Sequence, residues 1–425
     1  MTNNENQDIF LEEEREESEE QELQQEQEEQ EEYYDFRYNS LKKKGTIISI
    51  CMIWIFCLVI FGTAGLHFLT EDKSFSDSEN RVLGSFPRLT AASIADGSFM
   101  EDFEAYLTDQ FPFRDSIIAL KTATDRILGK NEENGVYIGK EGFLFDSQTP
   151  MDKSRVNTIG KAVKKFTEKY SNLKAAFVLA PNSSYIYSQY LPDYLGMPSQ
   201  RDQIKQVKNA VGYKDIYWPA VPSVLTENAE KTQLYYKTDH HWTTRGAYLI
   251  FRDICLEWGL ESSYKDINSK FRFYEVSNTF EGTLASNSGV HDTTDKIEIC
   301  VPEDSEGTYV AHFESTGEKT ASLFFEDRLG EKNQYEVFLG GNYDKVIIST
   351  TTSVNRNLLL IKDSYANCMI PMLTPYFSKI VVIDPRYLTD SLDSIIKEND
   401  FSHIMFLYNV NTLLEDNSLV PCLES

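Results

Sequence analysis

The sequence predicts an α/β fold with a parallel sheet flanked by helices, a β-rich insertion and one N-terminal transmembrane helix. Short apolar runs such as "KAAFVLA" (174–180) and "NLLLI" (357–361) alternate with segments of helical periodicity. This alternation is typical of parallel sheets that are covered on both faces. An almost wholly apolar stretch over 46–69 is close to the roughly 20 residues that a bilayer core requires.

The N-terminal segment differs in composition from the rest of the chain. Residues 1–35 hold 16 acidic residues against one base, Arg15, in a chain of 425 residues with a formal net charge of −26. The segment lacks the apolar positions needed to bury a face, and its charges repel one another, so residues 1–45 are expected to be a disordered acidic tail. A single solvated helix is the alternative. Plain solvation is favoured over a role as an interaction tail.

The apolar stretch 46–69 is predicted to be an uncleaved membrane anchor. The three lysines at 42–44 precede it, and Glu71 and Asp72 follow it. The excess of lysine before the stretch predicts a cytoplasmic N-terminus and an external domain over 70–425, attached to the cell membrane by a single pass. A long polar leader and the lack of a small-residue cleavage site argue against a signal peptide. A buried core helix would leave the flanking charges unexplained.

The predicted external domain contains helices and strands that can be placed along the sequence. A helical pattern is broken at Pro112, a strand pair over 136–145 turns at 139–142, and a helix follows the histidine-containing motif at 239–241. Residues 263–330 contain short strands between turns and predict a β-rich insertion. Strands and helices then alternate again, so functional residues are expected at the carboxyl ends of the strands.

Ser364 is the first candidate for chemistry. In "LLLIKDSYANC" it follows a buried strand by two or three residues, where a helix would begin. A serine in such a turn lies near backbone amides, which suits a nucleophile whose intermediate carries an oxyanion. Helix capping by Asp363 or Ser364 is the alternative, and this turn taken alone favours capping.

The stretch "KTDHHWTTRG" (237–246) changes that balance because it supplies a base and a carboxylate. Asp239 can hold one ring nitrogen of His241 while the other nitrogen faces the serine. His240 is then expected to point away from the serine, with a surface or packing role. Trp242 is expected to pack beneath the loop.

A metal site is the other interpretation of Asp239, His240 and His241. A DHH triplet occurs in manganese phosphoesterases, but those proteins need further acidic motifs, and here only "HDTTDK" (291–296) is a weak candidate. Side chains of adjacent histidines diverge in an extended segment. The six cysteines show no CxxC spacing, no cysteine follows the histidines as in DHHC acyltransferases, and one disulfide is possible without an assigned pairing. No metal and no cofactor are expected.

Several motifs in order resemble the bacterial DHHW family, which is similar to the SGNH-like alginate-acetylation proteins. They are "RVLGSFPRLT", "DQFPFRDSI", "NGVYIGKEGFLF", "YKTDHHWTTRGAY", "GTLASNSG" and "LLLIKDSYANCMIPMLTPYF". The resemblance spans nearly all of residues 75–425. It implies a permuted SGNH-hydrolase fold in which an Asp-x-His-Trp motif, here Asp239, His241 and Trp242, precedes a Ser-Tyr motif, here Ser364 and Tyr365.

The resemblance leaves the oxyanion donors open. The glycine that often precedes the serine in such enzymes is replaced by Lys362. Asn409 and Asn411 stand where an SGNH asparagine donor would come, and Asn182 after "FVLAP" is a further candidate. Tyr365 is included among the oxyanion or substrate candidates. For each asparagine the alternative is a turn residue.

The resemblance implies a membrane-anchored serine O-acyltransferase or esterase that acts on acyl, mainly acetyl, groups of a cell-surface polysaccharide. Ser364 would be the nucleophile, His241 the base and Asp239 its orienting acid. A multi-pass membrane acyltransferase is the expected partner, and no nucleic acid is expected. The alternative function is a non-catalytic scaffold or glycan-binding module of the cell envelope that keeps the fold.

Overall fold

The computed structural model describes residues 5–76, 81–193, 195–303 and 309–425. It divides into two compact units. One unit comprises Met1–Ser74 and Leu83–Arg114, and the other comprises Phe75–Val82 and Asp115–Ser425. The domain boundaries inferred from the sequence, at 45, 69 and 263–330, stay a prediction.

The described residues form helices of very different lengths. The α-helices are α1 (Glu5–His67), α2 (Ala91–Ala95), α3 (Ser98–Asp109), α4 (Arg114–Ile127), α5 (Lys153–Lys169), α6 (Ser183–Ile186), α7 (Gln200–Val211), α8 (Val221–Asn228), α9 (Thr244–Glu257), α10 (Tyr264–Lys270), α11 (Thr283–Ser288), α12 (Ile370–Leu373), α13 (Leu392–Glu398), α14 (Val410–Glu415) and α15 (Leu419–Glu424). Short 3-10 helices cover Lys140–Gly142, Ser188–Tyr190, Glu326–Gly330, Gln334–Val337 and Ser364–Ala366.

The described strands belong to one large sheet and three small ones. They are β1 (Phe75–Ser76), β2 (Arg81–Val82), β3 (Glu132–Glu133), β4 (Val136–Ile138), β5 (Leu144–Asp146), β6 (Lys174–Ala180), β7 (Ile216–Tyr217), β8 (Phe271–Phe280), β9 (Asp295–Pro302), β10 (Tyr309–Phe313), β11 (Glu318–Thr320), β12 (Lys345–Thr350), β13 (Asn357–Lys362), β14 (Lys379–Ile383) and β15 (His403–Asn409). The small sheets are β1–β2, β3–β4–β5 and β8–β9.

The first unit is dominated by the long helix α1. By length and composition, its segment Leu23–His67 is long and apolar enough to cross a membrane. The acidic residues from 5 onward continue the same helix, which is the alternative that the sequence left open for the tail. Glutamate, glutamine and leucine are good helix formers, so a charged segment joined to a helical one extends it readily. Residues 1–4 lie outside the described residues.

The second unit is built on an eight-stranded mixed sheet. Its strand order is β11-β10-β12-β14-β13-β15-β6-β7. The five strands from β14 to β7 are parallel, whereas β12, β10 and β11 extend the sheet with antiparallel pairings. The predicted α/β fold with a parallel sheet is therefore confirmed for the strands that carry the candidate residues.

Two hydrophobic cores lie on opposite faces of this sheet, because successive side chains of a strand point to opposite sides. In β13, Leu358 and Leu360 belong to one core and Leu359 and Ile361 to the other. Helix α9 covers the first face, and helices α5 and α7 cover the second. Burial on both faces explains why the parallel strands are continuous apolar runs.

The described strands of the predicted β-rich insertion, residues 263–330, belong to two different sheets. Strands β8 and β9 form a two-stranded antiparallel sheet of their own, with register shifts near Ser277. Strands β10 and β11 instead join the large sheet through β12. Short amphipathic strands give the same sequence pattern in both settings, so the sequence did not separate them.

Candidate active site

Ser364 lies at the carboxyl edge of the parallel strands. Strand β13 ends at Lys362 between its neighbours β14 and β15, and Ser364 begins a 3-10 turn. Asp363 caps this turn, since its Oδ1 accepts from the N–H of Tyr365 at 2.9 Å. Its Oδ2 accepts from the N–H of Asn409 at 2.7 Å, which ties the turn to the end of β15. The capping role that the sequence left open for Asp363 or Ser364 therefore belongs to Asp363. The hydroxyl of Ser364 does not cap the turn.

The histidine pair lies on a tight loop before helix α9. Tyr235 and Trp242 form an isolated antiparallel bridge, and the N–H of Tyr236 donates to the carbonyl of His241 at 3.2 Å. Thr243 then caps α9 by accepting from the N–H of Gly246 at 3.3 Å. The loop is thus held at both ends, and its tip carries residues 237–241.

Ser364, His241 and Asp239 form a continuous hydrogen-bonded chain. The distance between Ser364 Oγ and His241 Nε2 is 2.8 Å, and that between His241 Nδ1 and Asp239 Oδ1 is 2.6 Å. His241 and Asp239 are 5% and 1% exposed, whereas Ser364 is partly exposed. Both distances lie in the range expected for a nucleophile, base and orienting acid. Ser364 lies 123 positions after His241 in the chain, whereas Asp239 and His241 are two positions apart.

Asp239 is held on both carboxylate oxygens. Its Oδ1 also accepts from the N–H of His241 at 3.0 Å. Its Oδ2 accepts from the N–H of Thr283 at 2.9 Å and from the Thr283 hydroxyl at 2.7 Å. Burial favours a higher pKa for Asp239, but the imidazoles of His240 and His241 and these hydrogen bonds outweigh it and hold the pKa well below its usual range. The acid is therefore kept ionised beside the imidazole.

Gly282 makes room for this arrangement. A Cβ at position 282 would overlap Cβ and Oδ2 of Asp239. The Gly282 N–H donates to the hydroxyl of Thr238 at 3.0 Å. Only a residue without a side chain allows the start of α11 to approach the carboxylate so closely.

A second buried acid, Asp295, fixes the loop that carries Asp239. Its Oδ1 accepts from the N–H of Lys237 at 3.0 Å, and its Oδ2 accepts from the N–H and hydroxyl of Thr238 at 2.8 and 2.7 Å. Gln233 donates to Oδ1 at 2.7 Å. Burial raises the pKa of Asp295 although these donors oppose the rise. The carboxylate replaces backbone partners that the irregular loop lacks.

Aromatic residues enclose the imidazole of His241. Tyr335 stacks on it with ring centroids 3.8 Å apart and an interplanar angle of 11°. The Tyr335 hydroxyl donates to the carbonyl of Ser364 at 3.1 Å. The Trp242 indole donates to the carbonyl of Tyr365 at 2.8 Å, and the Tyr365 hydroxyl donates to the carbonyl of His240. These contacts join the histidine loop to the serine turn.

His240 occupies a different position from His241. Its side chain is 34% exposed, its Nδ1 lies 3.8 Å from Asp239 Oδ1, and its ring makes no hydrogen bond to Ser364 among the described residues. Desolvation and the neighbouring His241 lower the pKa of His240, although Asp239 and Asp146 oppose this. Asp239, His240 and His241 each offer one possible metal ligand within 4.8 Å of the others. His241 Nδ1 and Asp239 Oδ1, two of the atoms that could bind a metal ion, hydrogen-bond to each other.

The candidate oxyanion residues lie near this edge, and the side-chain amides of Asn409 and Asn411 donate to protein groups. Asn409 Nδ2 donates to the carbonyl of Ala180 and to Asn182 Oδ1, each at 3.2 Å. Asn411 Nδ2 donates to the carbonyl of Ser147 at 2.8 Å. Tyr365 is buried, and its hydroxyl is bonded to the loop of His240. The oxyanion role of all four residues stays a prediction.

The backbone offers another donor beside the serine. The N–H of Tyr365 is taken by Asp363, whereas the N–H of Ser364 has no acceptor among the described residues. An N–H at the start of a helical turn is a common oxyanion donor. No side-chain pattern marks this donor in the sequence, since every serine has one.

Lys362, which replaces the usual glycine, is completely buried. Its Nζ lies 3.0 Å from Asn342 Oδ1 and 3.4 Å from Asp384 Oδ2. Arg386 binds the same carboxylate through Nε at 2.8 Å and Nη2 at 2.6 Å. Burial lowers the pKa of Lys362, and Asp384 counteracts that effect. The lysine therefore ends in an ion-pair network within the protein.

The sequence did not identify Thr283, Tyr335 and Asp295 as site residues. Thr283 lies in the motif "GTLASNSG", whose resemblance to the family could have drawn attention to it. Tyr335 lies in a 3-10 turn without a recognisable pattern. All three come from the region between the histidine loop and the serine.

Comparison with known proteins places most of this site in one family match. Residues 136–342 match the family described as the SGNH hydrolase-like domain of acetyltransferase AlgX. The match includes Asp239, His241, Thr283 and Tyr335 and ends before Ser364. A probable alginate O-acetylase AlgJ from Pseudomonas syringae pv. tomato is 22% identical over 174 residues, which are 39% of this chain and 44% of that protein. The chain thus spans less than half of the length of this relative.

Solved structures show the same fold. A DHHW family protein from Eubacterium siraeum has a TM-score of 0.57 and 21% identity, covering 69% of this chain and 96% of that chain. Bacillus cereus PatB1 with a sulfonyl adduct has a TM-score of 0.56 and 18% identity, covering 66% of this chain and 96% of that chain. The SGNH-like fold and the resemblance to DHHW-family and alginate-acetylation proteins are therefore confirmed. The predicted class, an SGNH-like O-acetyltransferase or acetylesterase domain, agrees with the matched family.

Proposed function

We propose, from the match of residues 136–342 to an SGNH hydrolase-like acetyltransferase domain, that this chain transfers or hydrolyses O-acyl groups of a cell-surface polysaccharide. The observation that carries the proposal is the hydrogen-bonded chain from Ser364 through His241 to Asp239. A serine hydroxyl is a weak nucleophile unless a base accepts its proton, and this arrangement supplies that base.

The reaction proceeds in two steps. Ser364 Oγ attacks the acyl carbonyl of the donor while its proton passes to His241 Nε2, and the tetrahedral oxyanion forms beside the N–H of Ser364. The donor's oxygen leaves with the proton from His241, and an acyl-serine ester remains. The oxygen of a sugar hydroxyl, or of water, then attacks the ester carbonyl while its proton passes to His241 Nε2. The bond between the acyl carbon and Ser364 Oγ breaks, and His241 returns the proton to that oxygen. Asp239 stays ionised and stabilises the imidazolium in both steps.

Acetyl is the proposed acyl group and a polysaccharide the proposed acceptor, because the matched family and relative are named for acetyl transfer and alginate O-acetylation. Membrane attachment also belongs to the proposal. Helix α1 carries the candidate span, and the lysines at 42–44 favour a cytoplasmic N-terminus with the second unit outside. A multi-pass acyltransferase is the proposed source of the acyl group.

The test is covalent labelling of the full chain in detergent with a fluorophosphonate probe. We expect labelling of Ser364 in the wild-type chain, none at this position in Ser364→Ala, and unchanged labelling in Ser349→Ala, which alters an exposed serine of β12. Equal labelling of the wild type and Ser364→Ala would contradict the proposal and favour the scaffold function. Incubation with an acetyl ester, with and without soluble glycans, then separates acetate release from acetyl-glycan formation.

A further inference from the structure

Tyr335 contacts two members of the proposed triad at once. Its ring lies face to face with the imidazole of His241, at 3.8 Å and 11°, and its hydroxyl donates to the carbonyl of Ser364 at 3.1 Å. The residue is 4% exposed. One side chain thus stacks on the proposed base and also hydrogen-bonds to the backbone of the proposed nucleophile.

The stacked ring of Tyr335 restrains the tilt of the His241 imidazole, which the hydrogen bond to Asp239 does not restrain. The bond between His241 Nδ1 and Asp239 Oδ1 fixes one corner of the imidazole, but the ring can still tilt about that corner. A parallel ring at van der Waals distance opposes the tilt and keeps Nε2 directed at Ser364 Oγ, 2.8 Å away. Small errors of alignment in a reacting pair are costly, since a displacement of about 1 Å can reduce a rate on the order of 100-fold.

Tyr335 is itself held rigidly, so it can serve as a fixed reference. Its ring packs edge to face against Phe338, with centroids 5.2 Å apart, and against Tyr236, at 6.2 Å. Its carbonyl accepts from the N–H of Phe338 at 3.1 Å within the 3-10 turn. A side chain whose neighbours fix its rotamer can transmit that order to the residue it contacts.

We infer that Tyr335 is a positioning residue of the acyl-transfer site. Its ring holds the plane of the His241 imidazole, and its hydroxyl holds the serine turn. The inference rests on the proposed function, since it assigns to Tyr335 a role in the same reaction. It also gives the segment between the histidine loop and the serine a contact with both the base and the nucleophile's backbone.

Two substitutions separate the two contacts. Tyr335→Phe keeps the stack and loses the hydroxyl, so we expect at most about a tenfold slower labelling of Ser364 by the fluorophosphonate. Tyr335→Leu loses both contacts, and we expect labelling to slow on the order of 100-fold. With a small acetyl ester, the loss should appear in kcat with KM nearly unchanged, because Tyr335 holds the reacting groups.

Tyr376 provides matched controls. It is buried, its hydroxyl has no partner among the described residues, and it precedes β14 at the opposite edge of the sheet from Ser364. Tyr376→Leu and Tyr376→Phe should leave the labelling rate of the folded chain within about twofold of the wild type, with thermal unfolding measured for every variant. Equal slowing in Tyr335→Leu and Tyr376→Leu would overturn the inference.

A spectroscopic measurement detects the contact without turnover. The chain has six histidines, so selective isotopic labelling gives a simple spectrum in which His241→Ala identifies the His241 signals. The ring of Tyr335 should shift the His241 ring protons upfield in the wild type and in Tyr335→Phe, but not in Tyr335→Leu. Unchanged His241 signals in Tyr335→Leu would also overturn the inference.

The two hypotheses fail differently. A wild-type chain without labelling at Ser364 would refute the proposed function and any catalytic role of Tyr335 with it. A labelled wild-type chain and an equally labelled, folded Tyr335→Leu variant would refute the positioning role alone.

Discussion

Thr283 donates both its backbone N–H and its hydroxyl to the same oxygen of Asp239, at 2.9 and 2.7 Å. The other oxygen of Asp239 is thereby left to His241. A residue of helix α11 thus determines the orientation of the acid, and the acid determines that of the base. This chain of dependence makes the region after the histidine loop part of the candidate site.

Replacement of Thr283 by valine should weaken acyl transfer without unfolding the protein. Valine has nearly the same shape and keeps the N–H, so only the hydroxyl donor to Asp239 is lost. We expect about a tenfold lower kcat, as for other groups that orient a catalytic residue. Thr167→Val is the control, because that buried hydroxyl bonds only within α5. A normal kcat in Thr283→Val would contradict the proposed role.

Gly282→Ala adds only one methyl group, but it should both destabilise the fold and disrupt the position of Asp239. The added methyl group would overlap the Asp239 side chain, and this buried contact cannot relax into solvent. We expect destabilisation of about 1–3 kcal/mol, measured by chemical unfolding, together with loss of serine labelling. Gly330→Ala, where nothing lies within 4 Å of the new methyl group, should be nearly neutral. Wild-type labelling in Gly282→Ala would show that the carboxylate need not be fixed.

The two adjacent histidines should differ in their effect on the reaction. His241→Ala removes the proposed base, so we expect a loss of several orders of magnitude in kcat. His240→Ala removes a partly exposed ring without a hydrogen bond to Ser364, and we expect a loss below about 100-fold. Steady-state rates on an acetyl ester provide the measurement. Equal losses in two folded variants would exclude the assignment of His241 as the base.

His403 should make the fold less stable in mildly acidic solution. Burial, with Lys174 and Arg356 nearby, lowers the pKa of His403 to about 4, from an ordinary value near 6.5. Between these values the unfolded chain binds a proton that the folded chain does not, so the free energy of unfolding rises with pH across this window. As the pH falls from 7 to about 4, we expect this group to lower the free energy of unfolding by on the order of 1–3 kcal/mol.

The test compares unfolding at pH 7 and pH 5 in the wild type and in His403→Phe. The ring of His403 packs against Trp258 and Phe377, so phenylalanine keeps the packing and removes the titration. The variant should lose less stability between the two pH values than the wild type. Identical slopes for the wild type and His403→Phe would refute the prediction.

The topology predicted from the sequence is tested on intact cells. The lysines at 42–44 and the acids after the apolar stretch predict that residues 1–45 lie inside the cell and that the domain over 70–425 lies outside. Added protease should remove the large domain and spare the acidic tail, as detected by antibodies to each part. Loss of the tail from cells that retain the domain would reverse the assigned orientation.

Sequence reasoning succeeded where the signal was local. The apolar runs of β6, β13 and β15 predicted the parallel strands, because burial on both faces leaves few polar positions. The spacing of Asp239 and His241 allowed the contact that the structure contains, since one short loop positions both. Ser364 was predicted from its place after a strand. Its partner His241 was named from the Asp-x-His spacing and from the resemblance to the family's Asp-x-His-Trp motif.

The remainder of the site depends on tertiary contacts that no local pattern records. Tyr335 and Thr283 are distant from Asp239 in the sequence, and neither tyrosine nor threonine is rare enough to stand out. The side-chain amides of Asn409 and Asn411 donate to protein carbonyls, and their oxyanion role stays a prediction. A buried side-chain amide donates to an acceptor that the fold brings near it. The spacing of residues in the sequence does not reveal which acceptor that is.

The place of β15 in the large sheet has a consequence for biogenesis. This strand follows β13 and β14 in the chain, yet it lies between β13, which precedes Ser364, and β6, which precedes the histidine loop. Until β15 has been synthesised, β13 and β6 have no strand that joins them in one sheet. Such long-range pairing forms late and slowly, since large loops must close first. Acyl-transfer activity would therefore appear only in chains whose synthesis has passed Asn409, and partly made chains would be kept inactive by their topology.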